Sequence, residues 1–271
     1  TILPLLVALS LGAVAVPAAA HDLHINTDQC NYSTDYDVFV THAGVRFERE
    51  DGTPSKVFMH DGQLRIDGRN VTVSDADARS LREYETQVRT ALPEIAGIAH
   101  EGVDIGFSAL TKVAATFASN GSERDNLMDR LNRKHADALR RIDETLGHGE
   151  WRHDAIEDAV KDTVEDAVPE LVSTVAAGAV KAALSGDEAQ VAALQARADS
   201  LDKSIDREVD ARADKLTVRA EGLCKRFAAM DDMQKQWQFR LANGTPLELL
   251  HWDKSHNHHK HAHKDDVATS R

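Results

Sequence analysis

The sequence predicts an α+β fold that is mostly α: a small N-terminal antiparallel β-meander followed by an elongated bundle of long amphipathic helices. Apolar and polar residues alternate from Tyr36 to Val73, which is the period of a strand, and beyond Ser74 the apolar residues recur every three or four positions, which is the period of a helix. The low aromatic content, 5%, favours helices packed through small side chains over a β-sandwich core. We therefore divide the chain into a leader (1–20), the meander (21–73), a helical domain packed on the meander (74–250) and a disordered tail (251–271).

The first residues are typical of an export signal. Leu3 to Ala20 form an uncharged apolar run that is broken by Pro17 and ends in three alanines, as in a signal peptide with its cleavage site. The alternative is a single membrane anchor, but Gly12 and Pro17 interrupt the run, which is shorter than the roughly 20 apolar residues of a span. We expect cleavage and export, and no stable membrane span after Ala20.

The charge balance restricts the classes of partner. The formal net charge is −13, and no basic stripe runs along the sequence. Electrostatic attraction to phosphate backbones needs clustered Lys and Arg. The composition therefore argues against a nucleic-acid partner and disfavours other anionic partners.

The meander is predicted from two hairpin signals. Asp61-Gly62 and Asp67-Gly68 favour the left-handed backbone angles of type I′ turns. Leu64 and Ile66 should then lie on one face of the sheet and Arg65 on the other. The expected strands are 37–40, 44–48, 56–60, 63–66 and 69–73. So thin a sheet needs a helix on its apolar face.

Ser74 is the expected N-cap of the first helix, with Asp75 and Asp77 in its first turn, where the helix dipole favours negative charge. The helix should stop at Pro93 and resume to Phe117.

Ser122 should cap the next helix, which runs to Leu146. Gly147 and Gly149 separate it from a fourth helical segment that begins at Trp151. This segment ends in a stripe of small and apolar residues, Val172 to Leu184. The stripe could lie on a membrane or receive a partner helix, but packing within the same protein is the favoured interpretation.

The longest helical pattern runs from Asp187 to Leu241. As one helix it would span about 80 Å, so part of it must pair with other helices or project as a coiled-coil arm.

The chain has two cysteines, Cys30 and Cys224. In an exported protein they favour a disulfide, because two thiolates alone cannot complete a zinc shell and there is no C-x-x-C motif. Closing so long a loop would stabilise the fold by about 4–5 kcal/mol at most.

The order of these features resembles the YggN-like periplasmic proteins of proteobacteria, a domain of unknown function. The resemblance covers Gln29 to Arg240 and is carried by Cys30 before a short strand, Asp61 to Arg69, Tyr84 to Pro93 and Glu221 to Arg226. It implies export to a Gram-negative periplasm and a meander-plus-helices architecture, but brings no catalytic residues. The resemblance and the cysteine count together imply that the last helix is tethered at Cys224 to the start of the mature chain. The stretch of that helix from Val191 to Val209 is then the free or partner-binding part.

The chain contains no familiar catalytic motif. There is no nucleophile elbow, phosphate loop or dinucleotide fingerprint, and His100-Glu101 lacks the second histidine of a zinc-protease helix. His148 and His153 flank Trp151, and we interpret them as core or loop residues.

Histidine is dense only in the tail. The candidate metal ligands are His251, His256, His258, His259, His261 and His263. Imidazoles at alternating spacing in a flexible segment suit Zn, Cu or Ni, although the same composition also fits a charged, solubilising tail. After cleavage at Ala20, His21 and His24 form a second candidate site, for copper.

The leading functional hypothesis is a non-enzymatic periplasmic protein, an adaptor or chaperone-like factor, that binds envelope proteins through its long helices and requires no cofactor. The same helices could form a homo-oligomer. The alternative is a metal-binding or metal-buffering protein that acts through the tail. An enzyme with an unfamiliar site ranks third.

Overall fold

The computed structural model describes residues 30–118, 121–152 and 186–252, and between these 169, 172–173, 175–177, 180 and 184. The architecture is the predicted one, an N-terminal antiparallel sheet followed by long helices. The expectations for the leader, for His21 and His24, for His153 and for the histidines beyond Trp252 lie outside the described residues. None of the helices in the described part is both long and apolar enough to cross a membrane.

The strands of the described chain form two antiparallel sheets. Their bounds are Tyr32–Ser33 (β1), Asp37–Thr41 (β2), Gly44–Glu48 (β3), Lys56–His60 (β4), Gln63–Ile66 (β5), Arg69–Val71 (β6), Glu150–Trp151 (β7) and His251–Trp252 (β8). The larger sheet has the order β6-β5-β4-β3-β2-β7, and β1 pairs with β8. Strands β2 to β6 are the predicted meander, whereas the two-residue strands β1, β7 and β8 have no periodic signal in the sequence.

The meander buries one face, as its alternation predicts. Val45, Val57, Met59 and Leu64 are at most 2% exposed, while Arg65 faces solvent. In the register, Val45 lies opposite Met59 and Met59 opposite Leu64, so the buried side chains form one continuous row across three strands.

Four helices have described bounds: Asp75–Phe117 (α1), Gly121–Glu144 (α2), Glu188–Ile205 (α3) and Ala211–Lys235 (α4). Ser74 caps α1, and its Oγ accepts a hydrogen bond from the Asp77 N–H.

The predicted break at Pro93 is wrong, because α1 continues through it. Pro93 is exposed, so water can replace the one helical hydrogen bond that the proline removes. Similarly, α2 begins at Gly121, so Ser122 lies inside its first turn.

The long helical pattern from Asp187 to Leu241 forms helical chain without a break from Glu188 to Lys235. Asp187 caps α3, and a π-helical turn, Asp206–Asp210, joins α3 to α4. Helix α4 ends at Lys235, six residues before the predicted end. The apolar spacing continues to Trp237, but that indole is buried in the core and donates its Nε1–H to Ser80 Oγ at 3.0 Å. Tertiary contacts therefore override the local helical period.

The segment after α4 returns to the core of the sheet. Phe239, Leu247 and Leu249 are buried beside the meander and the first half of α1. Gln234, which is 3% exposed, accepts hydrogen bonds at Oε1 from the N–H groups of Leu249 and Leu250 at 2.9 and 3.2 Å. This side chain satisfies backbone groups that would otherwise be buried without partners.

Two smaller apolar clusters hold the distal half of α1. Phe107 packs with Leu127 and Leu131 of α2. Ile105 packs with Val209 of the π-helical turn and Leu216 of α4. The expectation that Val191 to Val209 is free is therefore wrong at Val209, whereas α3 itself contains no buried residue.

Cys30 and Cys224 form the predicted disulfide, with their Cα atoms 5.4 Å apart. The bond ties the chain two residues before β1 to the middle of α4. Trp151, by contrast, does not begin a helix, because it lies in β7 and pairs with Val38 of β2.

Candidate functional site

An apolar cavity of about 190 Å³ borders the core. It lies where the sheet, α1, α4 and the segment after α4 meet. Strands β2 and β3 contribute Val38 and Phe47, and the chain after α4 contributes Leu249 and Leu250. Together with Trp151, five segments that are distant in sequence thus line one space.

Helical spacing explains the two helical walls of this cavity. Val88, Ala91 and Leu92 of α1 stand at i, i+3 and i+4, so one stripe of the helix faces inward. Leu223 and Phe227 of α4 stand at i and i+4 and form the opposite wall. The periodicity that predicts the two helices therefore also produces the apolar lining.

Few polar side chains line the cavity, and none of the lining residues is charged. Ser33 Oγ shares a hydrogen bond of 2.9 Å with His251 Nε2, and Thr34 Oγ1 donates to the Leu249 carbonyl at 2.7 Å. Tyr84 is 1% exposed, and its hydroxyl has no hydrogen-bond partner among the described residues. Burial, assisted by the negative charge of Asp231, raises the pKa of the Tyr84 phenol far above its usual range, so the hydroxyl is neutral at physiological pH.

Trp151 closes the cavity from the side of β7. The strand is held in place by its neighbour β2, because the Val40 N–H donates to the Gly149 carbonyl at 2.7 Å. Gly149 has φ +83°, and a Cβ there would lie 2.6 Å from the Val40 carbonyl oxygen. Only glycine therefore fits at the turn that positions Trp151. The indole Nε1 of Trp151 is buried without a partner in the described part of the chain.

A second cavity, of about 270 Å³, is polar and lies between the chain before β2, the loop from β3 to β4 and the segment after α4. Arg49 lines it: its Nη1 is 3.5 Å from Asp35 Oδ2, its Nε donates to the Pro54 carbonyl at 3.0 Å, and its guanidinium stacks on Tyr36 at 4.5 Å. These contacts engage the guanidinium and hold the loops around it in place. The polar groups of this cavity therefore have a structural role.

The structure also exposes a row of large apolar side chains. We define the exposed row as Val172, Val180, Leu184 and Val191, which are 59, 56, 83 and 45% exposed. All four positions are helical. The expectation of internal packing for the Val172 to Leu184 stripe is therefore wrong at the first three positions.

Only one of the predicted histidine ligands, His251, lies among the described residues. His251 belongs to β8 and bonds Ser33, while His256, His258, His259, His261 and His263 lie outside the described residues. His148 Nδ1 bonds the Asp143 carbonyl, and His100 Nε2 lies 3.0 Å from Asp143 Oδ1. No group of three or more potential metal ligands occurs in the ranges that the structure describes. Metal binding by the tail stays a prediction.

Sequence reasoning missed the cavity and two of its residues. Tyr84 fits the helical pattern as an ordinary core position, and Trp151 was interpreted as the start of a helix. One signal was present: Leu247, Leu249 and Leu250 form an apolar cluster beyond the predicted end of the last helix. Such a cluster outside a helix indicates a segment that returns to the core.

Comparison with known proteins gives one match. The model of a protein family described as "Protein of unknown function (DUF2884)" matches residues 30–250, which is well over half of the chain. The matched region begins at the disulfide cysteine Cys30 and ends immediately before β8. No curated protein and no solved structure matches the chain.

Proposed function

The chain belongs to the DUF2884 family of proteins of unknown function, and from this premise we propose that it is a non-enzymatic adaptor or chaperone-like factor that binds apolar segments of other proteins through the exposed row. The row carries the proposal. Large apolar side chains that are exposed near one another mark interaction sites on folded proteins, and the four residues of the row, which lie within 20 positions of the sequence, are 45–83% exposed. All four lie on helical chain, where they can receive a partner's helix or an extended apolar segment.

The distribution of charge supports a protein partner over a nucleic acid. The net charge of −13 opposes binding to phosphate backbones. Within the row itself the side chains are aliphatic, so the surface selects apolar segments and not charged motifs.

We further propose that the protein acts in a Gram-negative periplasm, as the resemblance to the YggN-like proteins implies. The apolar run from Leu3 to Ala20 supports export. The Cys30–Cys224 disulfide supports an oxidising compartment, because cytosolic thiols are kept reduced. The proposed partners are therefore envelope proteins, and a second copy of the chain is another candidate for the same surface.

An aggregation assay tests the exposed row. The full chain is mixed with citrate synthase, the client is unfolded by heat, and its aggregation is followed by light scattering. We expect the wild-type protein to suppress aggregation at equimolar ratio. A variant that carries Val172→Thr, Val180→Thr, Leu184→Asn and Val191→Thr should lose at least about half of that effect, because threonine keeps the shape of valine while removing apolar surface.

Val218→Thr provides the matched control. Val218 is 68% exposed on α4, outside the row, so its replacement removes exposed apolar surface without touching the proposed site. The control should suppress aggregation as the wild type does. Equal suppression by the row variant and the wild type would contradict the proposal, as would a wild-type protein that does not suppress aggregation.

A further inference from the structure

The apolar cavity has the properties of a ligand site that is independent of the exposed row. Its lining comes from five segments of the chain and includes Phe47, Tyr84, Trp151 and Phe227. A cavity with no charged lining residue cannot compensate the desolvation of an ion, so charged ligands are excluded. What enters must be neutral and largely apolar.

The volume sets the size of the ligand. An apolar cavity of about 150 Å³ is sufficient to hold benzene. The cavity here is about 190 Å³, which accommodates one six-membered ring with a small substituent. Aromatic side chains on several sides favour a ring over an aliphatic chain, because edge-to-face contacts add to the energy of apolar burial.

Two neutral polar groups distinguish the cavity from a plain apolar void. Tyr84 lines the cavity, and its hydroxyl makes no hydrogen bond with the described residues. Trp151 also lines it, and its Nε1 is buried without a partner in the described part of the chain, which is uncommon in folded proteins. Ser33 and Thr34 are already engaged with His251 and Leu249. The Tyr84 hydroxyl, which can donate and accept, and the Trp151 N–H, which can only donate, are therefore the groups that can select a polar substituent.

We propose that this cavity binds a small neutral aromatic molecule that carries one hydroxyl or carbonyl group, with the ring among the apolar side chains of α1 and α4 and the polar group at Tyr84. The proposal does not depend on the function of the exposed row. The row variant described above should bind such a molecule as the wild type does, so failure of one proposal leaves the other standing.

The test compares p-cresol with toluene, which has nearly the same shape but lacks the hydroxyl. Binding of each to the full chain is measured by isothermal titration calorimetry, and the site is located by NMR shifts of the Val88, Leu92 and Leu250 methyl groups. Wild-type protein should bind both molecules, and p-cresol more tightly. Tyr84→Phe should weaken the binding of p-cresol by about three- to tenfold, which is the contribution of one neutral hydrogen bond. It should leave the affinity for toluene unchanged.

A cavity-filling variant, Ala91→Phe, should abolish binding of both molecules. Ala91 is 2% exposed, so circular dichroism must show that the variant is folded. If it is not, Ile95→Trp provides the alternative, because Ile95 lines the cavity and is only partly buried. Undetectable binding to the wild type, or full binding to a folded, filled variant, would overturn the proposal. An equal loss of p-cresol and toluene in Tyr84→Phe would overturn the assignment of Tyr84.

Discussion

The two Asp-Gly turns of the meander have similar backbone angles but different surroundings. Asp61 and Asp67 both have φ +47°, and the glycines that follow have φ +77° and +80°, as type I′ turns require. Their surroundings differ. A Cβ on Gly62 would lie 2.6 Å from the Ala78 carbonyl oxygen of α1, whereas a Cβ on Gly68 would have no neighbour within 4 Å. The first turn therefore packs directly under the helix, and the second is open.

This difference provides a matched pair of variants. Gly68→Ala should lower the free energy of unfolding by about 1 kcal/mol, the strain of an L-residue in left-handed backbone. Gly62→Ala should lower the free energy of unfolding by about 1–3 kcal/mol more than Gly68→Ala does, because α1 must also shift. Urea denaturation of both variants checks this prediction. Equal losses would show that the hairpin does not press on α1 as the structure indicates.

Asp77 illustrates a residue whose role was predicted only in part. The sequence places it in the first turn of α1, where its charge favours the helix dipole. In the structure it is 4% exposed, and its Oδ1 also accepts a hydrogen bond from the Gln238 N–H at 3.0 Å. This second contact joins positions 161 apart in sequence, so no local pattern could have revealed it.

Among the elements, α1 is the one on which the rest assembles. Its first half covers the sheet, and its second half packs with α2 and α4. Glu85 shows how the helix is fixed to the β4–β5 hairpin: its carboxylate accepts hydrogen bonds from Arg89 at 2.6 Å and from the Asp61 N–H at 2.9 Å, and lies 3.3 Å from His60 Nδ1. Burial alone would raise the pKa of Glu85, but these partners together hold its pKa below the ordinary value.

The lowered pKa predicts how stability depends on pH. A carboxyl group with a lower pKa in the folded than in the unfolded state stabilises the fold above its unfolded pKa, near 4.5, and this contribution is lost as the pH falls through the folded value. Glu85→Gln should therefore lower the free energy of unfolding at pH 7 by about 1.5–3 kcal/mol, and its difference from the wild type should shrink below pH 4.

Glu83→Gln is the control for this titration, because Glu83 lies on the same helix, is exposed and bonds only Gln87 among the described residues. Denaturation curves between pH 3 and pH 7 should show a small, nearly constant effect for the control. A difference between Glu85→Gln and the wild type that does not change with pH would contradict the role assigned to the Glu85 charge.

At the scale of the whole molecule, contacts join the first described residues to the last helix and to the last described strand. The Cys30–Cys224 disulfide joins positions 194 apart, and β1 pairs with β8, where the Tyr32 and Trp252 rings meet at 5.0 Å. The meander and the helices are predictable because their periods are local. The short strands, the end of α4 and the apolar cavity are not, because remote segments define them.

Removal of the disulfide should have a large effect. Replacing both Cys30 and Cys224 by serine should lower the free energy of unfolding by up to about 5 kcal/mol, since the loop that the bond closes is very long. Guanidinium denaturation of the double variant measures the loss, and hydrogen exchange should show the earliest opening between β1 and α4. An unchanged unfolding midpoint, or two free thiols in protein purified without reductant, would disprove the role of the bond.

The return of residues 237–252 to the sheet also sets the order in which the protein can be made. The meander is synthesised first, yet Trp237, Leu247 and Leu249, which complete its core, leave the ribosome about 180 residues later. Until then the apolar face of the nascent sheet lacks part of its cover, and the β1–β8 pairing cannot form. Folding of the sheet is therefore completed only after residues 237–252 have been synthesised, so the nascent chain stays partly open until β8 is available.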